Sequence, residues 1–143
     1  MKTAMLYYFM LYVTWPSTPD VFTLCHAGQP EDMKIQLSSL ERKSIRGHSI
    51  SLRDITGVSS LPSTCNMLLL GGGQTHLEEA WLEKARDQSV LTISENDSRW
   101  RNEVMIRLRS DNGQVGFEVK LKALSGSPLV FNSKLLRLAA GTY

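Results

Sequence analysis

Cys65-Asn66-Met67-Leu68-Leu69-Leu70-Gly71-Gly72-Gly73 is the stretch whose reading decides the fold. Met67 to Leu70 are four apolar residues with no polar alternation, the pattern of a strand covered on both faces. Three glycines then release the chain, and Thr75-x-x-Glu78 has the form of a capping box that opens a helix. The stretch therefore reads as a central strand, a tight turn and a helix. A cysteine stands at its entrance, and the second of the chain's two cysteines, Cys25, lies in an earlier apolar run.

Working outward, Val21 to Ala27 is continuous and apolar enough for an internal strand. Gly28-Gln29-Pro30 leads into a helix with Pro30 near its first position and Glu31 and Asp32 in its first turn, where they complement the helix dipole. Met33, Leu37 and Leu40 form its apolar stripe. Ser49 to Arg53 alternates, with Ile50 and Leu52 inward, as a less buried edge strand does. Gly57, Ser59, Ser60 and Pro62 mark the polar return to Cys65. After the glycines a helix presents Leu77, Trp81 and Ala85 to the sheet, with Glu78, Glu79 and Lys84 expected outside, and Val90 to Ile93 is the next strand. Alternating strands and helices imply a mainly parallel sheet with helices on both faces.

The pattern then changes. Val104, Ile106 and Leu108 alternate with polar residues, as do Val115, Phe117, Val119 and Leu121, and Asn112-Gly113 between them favours a two-residue type I′ turn. That turn sets Leu108 opposite Phe117, Ile106 opposite Val119 and Val104 opposite Leu121, with Arg107 meeting Glu118 on the other face. The chain closes with a Gly126/Pro128 loop and a short helix, Lys134 to Ala140, capped by Asn132 or Ser133 and stopped at Gly141. The expected class is α/β: a single-domain sandwich with a mostly parallel central sheet, an antiparallel β-hairpin at its end, and helices on both faces.

The N-terminal run from Ala4 to Val13, behind Lys2, imitates a signal peptide. It lacks a small-x-small cleavage site and is too short to span a bilayer as a helix. Its aromatics favour a structural helix, ended by Pro16. Met5, Tyr8, Tyr12 and Trp15 fall on one side, and Leu6, Phe9, Met10 and Val13 on another. Two apolar sides need two covers, one the sheet, the other more of the same domain or a partner subunit.

The chain's 143 residues suit one domain, and 42% hydrophobic with 21% charged residues is the balance of a globular protein. Sixteen basic and fourteen acidic residues leave a net charge of +2, too balanced to imply nucleic acid or an anionic membrane surface. Two cysteines fit either a reduced protein or a single disulfide in an oxidising compartment. Gly71-x-Gly73-x-x-His76 is a broken dinucleotide fingerprint, so Gly71, Gly72 and Gly73 form either a ligand turn or a tight strand-to-helix turn. His26, His48 and His76 lack metal-ligand spacing. Ser125-Gly126-Ser127-Pro128 is no nucleophile elbow.

One family matches these pieces in order. Phe117-Glu118-Val119, followed by Leu129-Val130-Phe131-Asn132-Ser133-Lys134-Leu135-Leu136-Arg137-Leu138-Ala139, resembles the end of the YfiR-like periplasmic proteins. There a Phe-Glu-Ile-Asn strand precedes a Ser-Ser-Lys-Leu-Leu-x-Leu-Ala helix. The aromatic first helix with Trp15-Pro16, the strand Phe22-Thr23-Leu24-Cys25, the segment Cys65-Asn66-Met67-Leu68-Leu69 and Val90 to Ile93 resemble further family segments, so the likeness runs from about residue 4 to 140. The chain departs at Asn102-Glu103, where the family has Gly-Gly, and at Lys120, where it has Asn. It also departs between Leu121 and Leu129, where a Gly/Ser/Pro loop is expected in place of a helical turn.

The resemblance implies a non-catalytic periplasmic regulator without cofactor or metal. It would bind and inhibit the periplasmic domain of an inner-membrane diguanylate cyclase, lowering cyclic-di-GMP signalling and biofilm formation. An OmpA-like outer-membrane lipoprotein would relieve the inhibition. A homodimer is expected, with Tyr8, Tyr12 and Trp15 at a partner or dimer interface, and no direct membrane insertion. Residues 1–143 would be one domain, with any export signal outside this chain. In an oxidising periplasm Cys25 and Cys65 should pair. The other reading is a periplasmic ligand-sensing input domain of a membrane receptor.

Overall fold

Continuous apolar strands need cover on both faces, and the computed structural model, which describes residues 2–71, 76–95 and 97–143, shows how they obtain it. In chain order the elements are α1 (Lys2–Tyr12), β1 (Val13–Thr14), β2 (Val21–Ala27), α2 (Glu31–Ser38), a 3-10 turn (Ser39–Arg42), β3 (Ser44–Ile45), β4 (His48–Asp54) and β5 (Met67–Leu70). They continue with α3 (His76–Asp87), β6 (Leu91–Glu95), β7 (Ile106–Asp111), β8 (Gln114–Val119), α4 (Leu121–Gly126), β9 (Val130–Phe131), α5 (Ser133–Leu138) and β10 (Gly141–Thr142). An eight-stranded sheet runs β10-β8-β7-β6-β5-β2-β4-β3, and β1 and β9 form a separate antiparallel pair. The run β4-β2-β5-β6-β7 is parallel throughout, and β7-β8 is the antiparallel hairpin. The expected mixed α/β class with a mostly parallel sheet holds.

The central strand lies where its composition demands. All four residues of β5 are fully buried, flanked by β2 and β6. Strand alternation sends Met67 and Leu69 to one core and Leu68 and Leu70 to the other. The first core collects Leu6, Phe9 and Met10 of α1, Met33 and Leu37 of α2, Leu135 of α5 and the inner face of the hairpin. The second gathers Trp81, Leu82 and Ala85 of α3 with Cys25, Ile55, Leu61 and Cys65. Phe9 meets Phe117 edge to face at 4.9 Å between centroids, joining the first helix to the hairpin.

The hairpin register is the expected one for Leu108–Phe117, Ile106–Val119 and Arg107–Glu118. Asn112 (φ 50°) and Gly113 (φ 81°) take the left-handed conformations that a type I′ turn requires. Arg107 Nε donates to Glu118 at 2.6 Å across the outer face. The expected Val104–Leu121 pair does not form, because Lys120 ends the ladder and Leu121 starts α4, which leaves it exposed.

Four further expectations are corrected. Pro16 does not end the first helix; α1 stops at Tyr12 because Val13 and Thr14 pair with Phe131 and Val130. Between Leu121 and Leu129 the chain keeps a helical turn, α4, rather than a loop alone. The C-terminal helix ends at Leu138, and Gly141 belongs to β10, which lies parallel to β8. On α3 the buried stripe is Glu78, Trp81, Leu82 and Ala85, at i, i+3, i+4 and i+7, so Glu78 is buried and Leu77 only half-buried. Asn132 caps α5 as expected, its side chain accepting the Lys134 N–H.

Candidate functional site

The entrance to the central strand is built by a polar clamp. Asn66 donates its backbone N–H to Thr23 O at 2.9 Å, and its Oδ1 accepts the Thr23 N–H at 2.8 Å. This double bond to β2 holds the residue before it, Cys65, over Cys25, with Cα atoms 5.8 Å apart, and the two form a disulfide. It lies in the core beneath α3, with both cysteines at most 3% exposed. Cys65 precedes its strand while Cys25 sits within β2, and the clamp supplies the stagger that parallel neighbours need. Trp81 Nε1, donating to Val58 O at 2.9 Å, closes the same core.

Of the three aromatics expected at an interface, two stay together. Tyr8 and Tyr12 stack on α1 with ring centroids 6.1 Å apart, and Tyr8 is 41% exposed. Trp15 lies beyond the end of the helix. It is buried, meets Phe22 edge to face at 4.7 Å, and donates its Nε1 hydrogen to Asn66 O at 3.2 Å. It braces the clamp rather than a surface. The second apolar side of α1 is covered in part: Met5 and Tyr12 are half-buried and pack, with Phe131, Leu136 and Ala139, against the first core, while Tyr8 stays exposed.

The carboxyl ends of the parallel strands form a second region. From β2 the chain moves outward to β4, then returns to β5 on the opposite side of β2, so the sheet has its topological switch point between β2 and β5. Gly28-Gln29-Pro30 and Gly71 meet there, and a Cβ on Gly71 would run into the Gly28 carbonyl. Of the expected ligand turn, Gly71 is described; Gly72, Gly73 and Thr75 of the capping box lie outside the described residues. A cleft of about 450 Å³ opens above, lined by Lys2, Gln29, Glu95, Asp97 and Ser110. Lys2 Nζ reaches both oxygens of Glu95 at 2.9 Å.

Beneath the same end, His26 is buried beside the Gln29 side chain, which interacts with its ring. Burial pushes its pKa below the ordinary histidine value, against the pull of the Asp54 carboxylate opposite it on β4. Asp54 is itself held below the usual carboxylate range by hydrogen bonds from the Thr56 hydroxyl and backbone N–H. Among the described residues no three histidine, cysteine or acidic side chains converge as metal ligands. Sequence reading missed Lys2, Gln29 and Glu95, which lie far apart in the chain and meet only through the sheet order.

A mostly parallel sheet between two helical layers, stapled by one disulfide, defines a small α/β domain with the covalent tie common in proteins of oxidising compartments. The chain belongs to the YfiR/HmsC-like family, whose model matches residues 1–140. That is a family of periplasmic regulators of diguanylate cyclases, regulatory rather than catalytic. No curated protein matches the chain significantly. Among the described residues no helix is long and apolar enough to cross a membrane.

Proposed function

We propose that this protein binds the periplasmic domain of an inner-membrane diguanylate cyclase and holds the enzyme inactive, lowering cyclic-di-GMP output and biofilm formation. The observation that carries the reading is the family match over residues 1–140. Repression of this kind needs no chemistry from the repressor, only tighter binding to the inactive cyclase than to the active one. Sequestration by an OmpA-like outer-membrane lipoprotein would withdraw it by the same arithmetic. The stack of exposed Tyr8 on half-buried Tyr12 on α1 is the surface we propose for the partner or for a second copy of the chain, since aromatic anchors dominate such contacts.

The test is a binding titration of the protein against the isolated periplasmic domain of a diguanylate cyclase from the same cell, with sedimentation to read the oligomeric state. Tyr12→Glu is expected to weaken one of the two at least tenfold, the loss of a single aromatic anchor. Unchanged affinity together with an unchanged oligomeric state would remove the α1 face from the interface.

A ligand-sensing input domain is the second reading. It is favoured by the cleft at the carboxyl ends of the parallel strands, the usual place for ligands in open α/β sheets.

A further inference from the structure

We propose that the apolar cavity between the end of α1 and the β3–β4 hairpin binds a small aliphatic carboxylate, its alkyl group inside and its charge on Arg46. The proposal goes beyond the repressor reading and does not depend on it.

The interior comes first. The cavity measures about 50 Å³, and Met10, Val13, Trp15, Phe22 and Ile45, all buried, line it. One water-sized group takes roughly 10–15 Å³ of such space, so about four fit. That is the room of a short alkyl chain rather than of a drug-sized molecule. Water gains little there. The five side chains offer no strong acceptor, and their one N–H, Trp15 Nε1, already donates to Asn66 O.

The rim gives the sign. Ile45 and His48 pair across the hairpin, which leaves Arg46 and Gly47 as the two central residues of its turn. Both take left-handed conformations, at φ 50° and 86°. Asparagine or glycine is the usual first residue of such a turn, and arginine is not. Arg46 is anchored there by its side chain, whose Nη2 donates to Leu11 O at the end of α1 at 2.8 Å. That bond uses one of five N–H donors and holds the guanidinium at the edge of the cavity, where it forms part of the wall.

His48 is the neighbouring polar wall, with Nδ1 donating to Asp20 O at 3.2 Å. Thr14 and Thr18, both exposed, border the mouth. Among the described residues no acidic side chain lines the cavity. An apolar socket beside a fixed guanidinium, with no acid opposing it, complements an alkyl group that carries a carboxylate. Two sources share that chemistry: a free short-chain acid, and the carboxyl terminus of a protein that ends in an aliphatic residue.

The experiment is a methyl NMR titration of the intact protein, read at Met10, Val13 and Ile45. Isovalerate is expected to shift all three. Isovaleramide should bind about tenfold more weakly, for the loss of one charge-assisted hydrogen bond, and isopentylamine should leave the methyls in place. Acetate, too short to fill the cavity, should also bind about tenfold more weakly. Arg46→Asn, a residue the turn accepts, should weaken isovalerate about tenfold, with the urea midpoint reporting that the chain is folded. Arg46→Lys, which keeps the charge without the fork, should fall between the two. Absence of isovalerate shifts, equal binding of isovaleramide, or unchanged affinity in Arg46→Asn would each overturn the proposal. N-acetyl-leucine separates the sources. Tighter binding than isovalerate assigns the cavity to a protein carboxyl terminus, weaker binding assigns it to a free acid, and either result keeps the site.

Discussion

Reducing the Cys25–Cys65 bond removes a covalent tie across a separation of 40 residues while leaving both sulfur atoms in the core beneath α3. Loop closure of that length restricts the unfolded chain by about 4 kcal/mol in the chain-entropy model. An unfolding entropy of about 2.1 cal/mol/K per residue, applied to 143 residues, turns that loss into a fall in Tm of about 13 °C. The assay is a pair of thermal melts, one on oxidised protein with the bond verified by intact mass, the other on protein held in reductant. Reduction removes no heavy atom from the core, so the difference reads chiefly the loss of the cross-link. The double variant Cys25→Ala/Cys65→Ala should melt lower still, because it also empties the sulfur volume from the core that Leu61, Leu68 and Trp81 share. If oxidised and reduced forms melt within about 2 °C of each other, the bond does not carry the stability assigned to it here.

Gly71→Ala should destabilise by between about 1 and 3 kcal/mol, since the new Cβ meets the Gly28 backbone carbonyl rather than a movable side chain; a urea midpoint at the native value would refute this. The Tyr143 hydroxyl donates to Val104 O under the Arg107 guanidinium, and burial raises its pKa to about 12. Its folded pKa therefore lies above the unfolded value near 10, so this contribution to stability is whole below about pH 10 and is lost as pH rises through about 12; alkaline denaturation of Tyr143→Phe should lack that loss. His26 runs the other way. Its folded pKa lies below 6.5, so its contribution is present above that pH and declines as the pH falls, and the His26 C2–H resonance should titrate at lower pH than in unfolded protein.

Most of the fold was legible in local pattern because its deciding signals are local. Met67 to Leu70 announce a strand buried on both faces, and Asn112-Gly113 fixes the hairpin register residue by residue. What the pattern did not carry are the short pairings made by distant segments. Val13-Thr14 reads as the continuation of an apolar helix, and only the arrival of Val130-Phe131 turns it into a strand. Gly141 reads as a helix stop, and the free edge of β8 recruits it instead. Glu78 reads as a solvated acid because two charges stand side by side, whereas the phase set by Trp81, Leu82 and Ala85 carries it inward. The site was less legible than the fold for the same reason. Lys2 and Glu95 are 93 residues apart, and nothing in either neighbourhood signals their pairing.

The central claim concerns regulation, and its most direct measurement is the cyclic-di-GMP content of cells with and without this gene. Deletion is expected to raise the nucleotide pool and increase biofilm, and export of the intact chain to the periplasm to restore both, while the same chain retained in the cytoplasm does not. An unchanged cyclic-di-GMP pool after deletion, or a pool that falls, would contradict repression of a diguanylate cyclase by this protein.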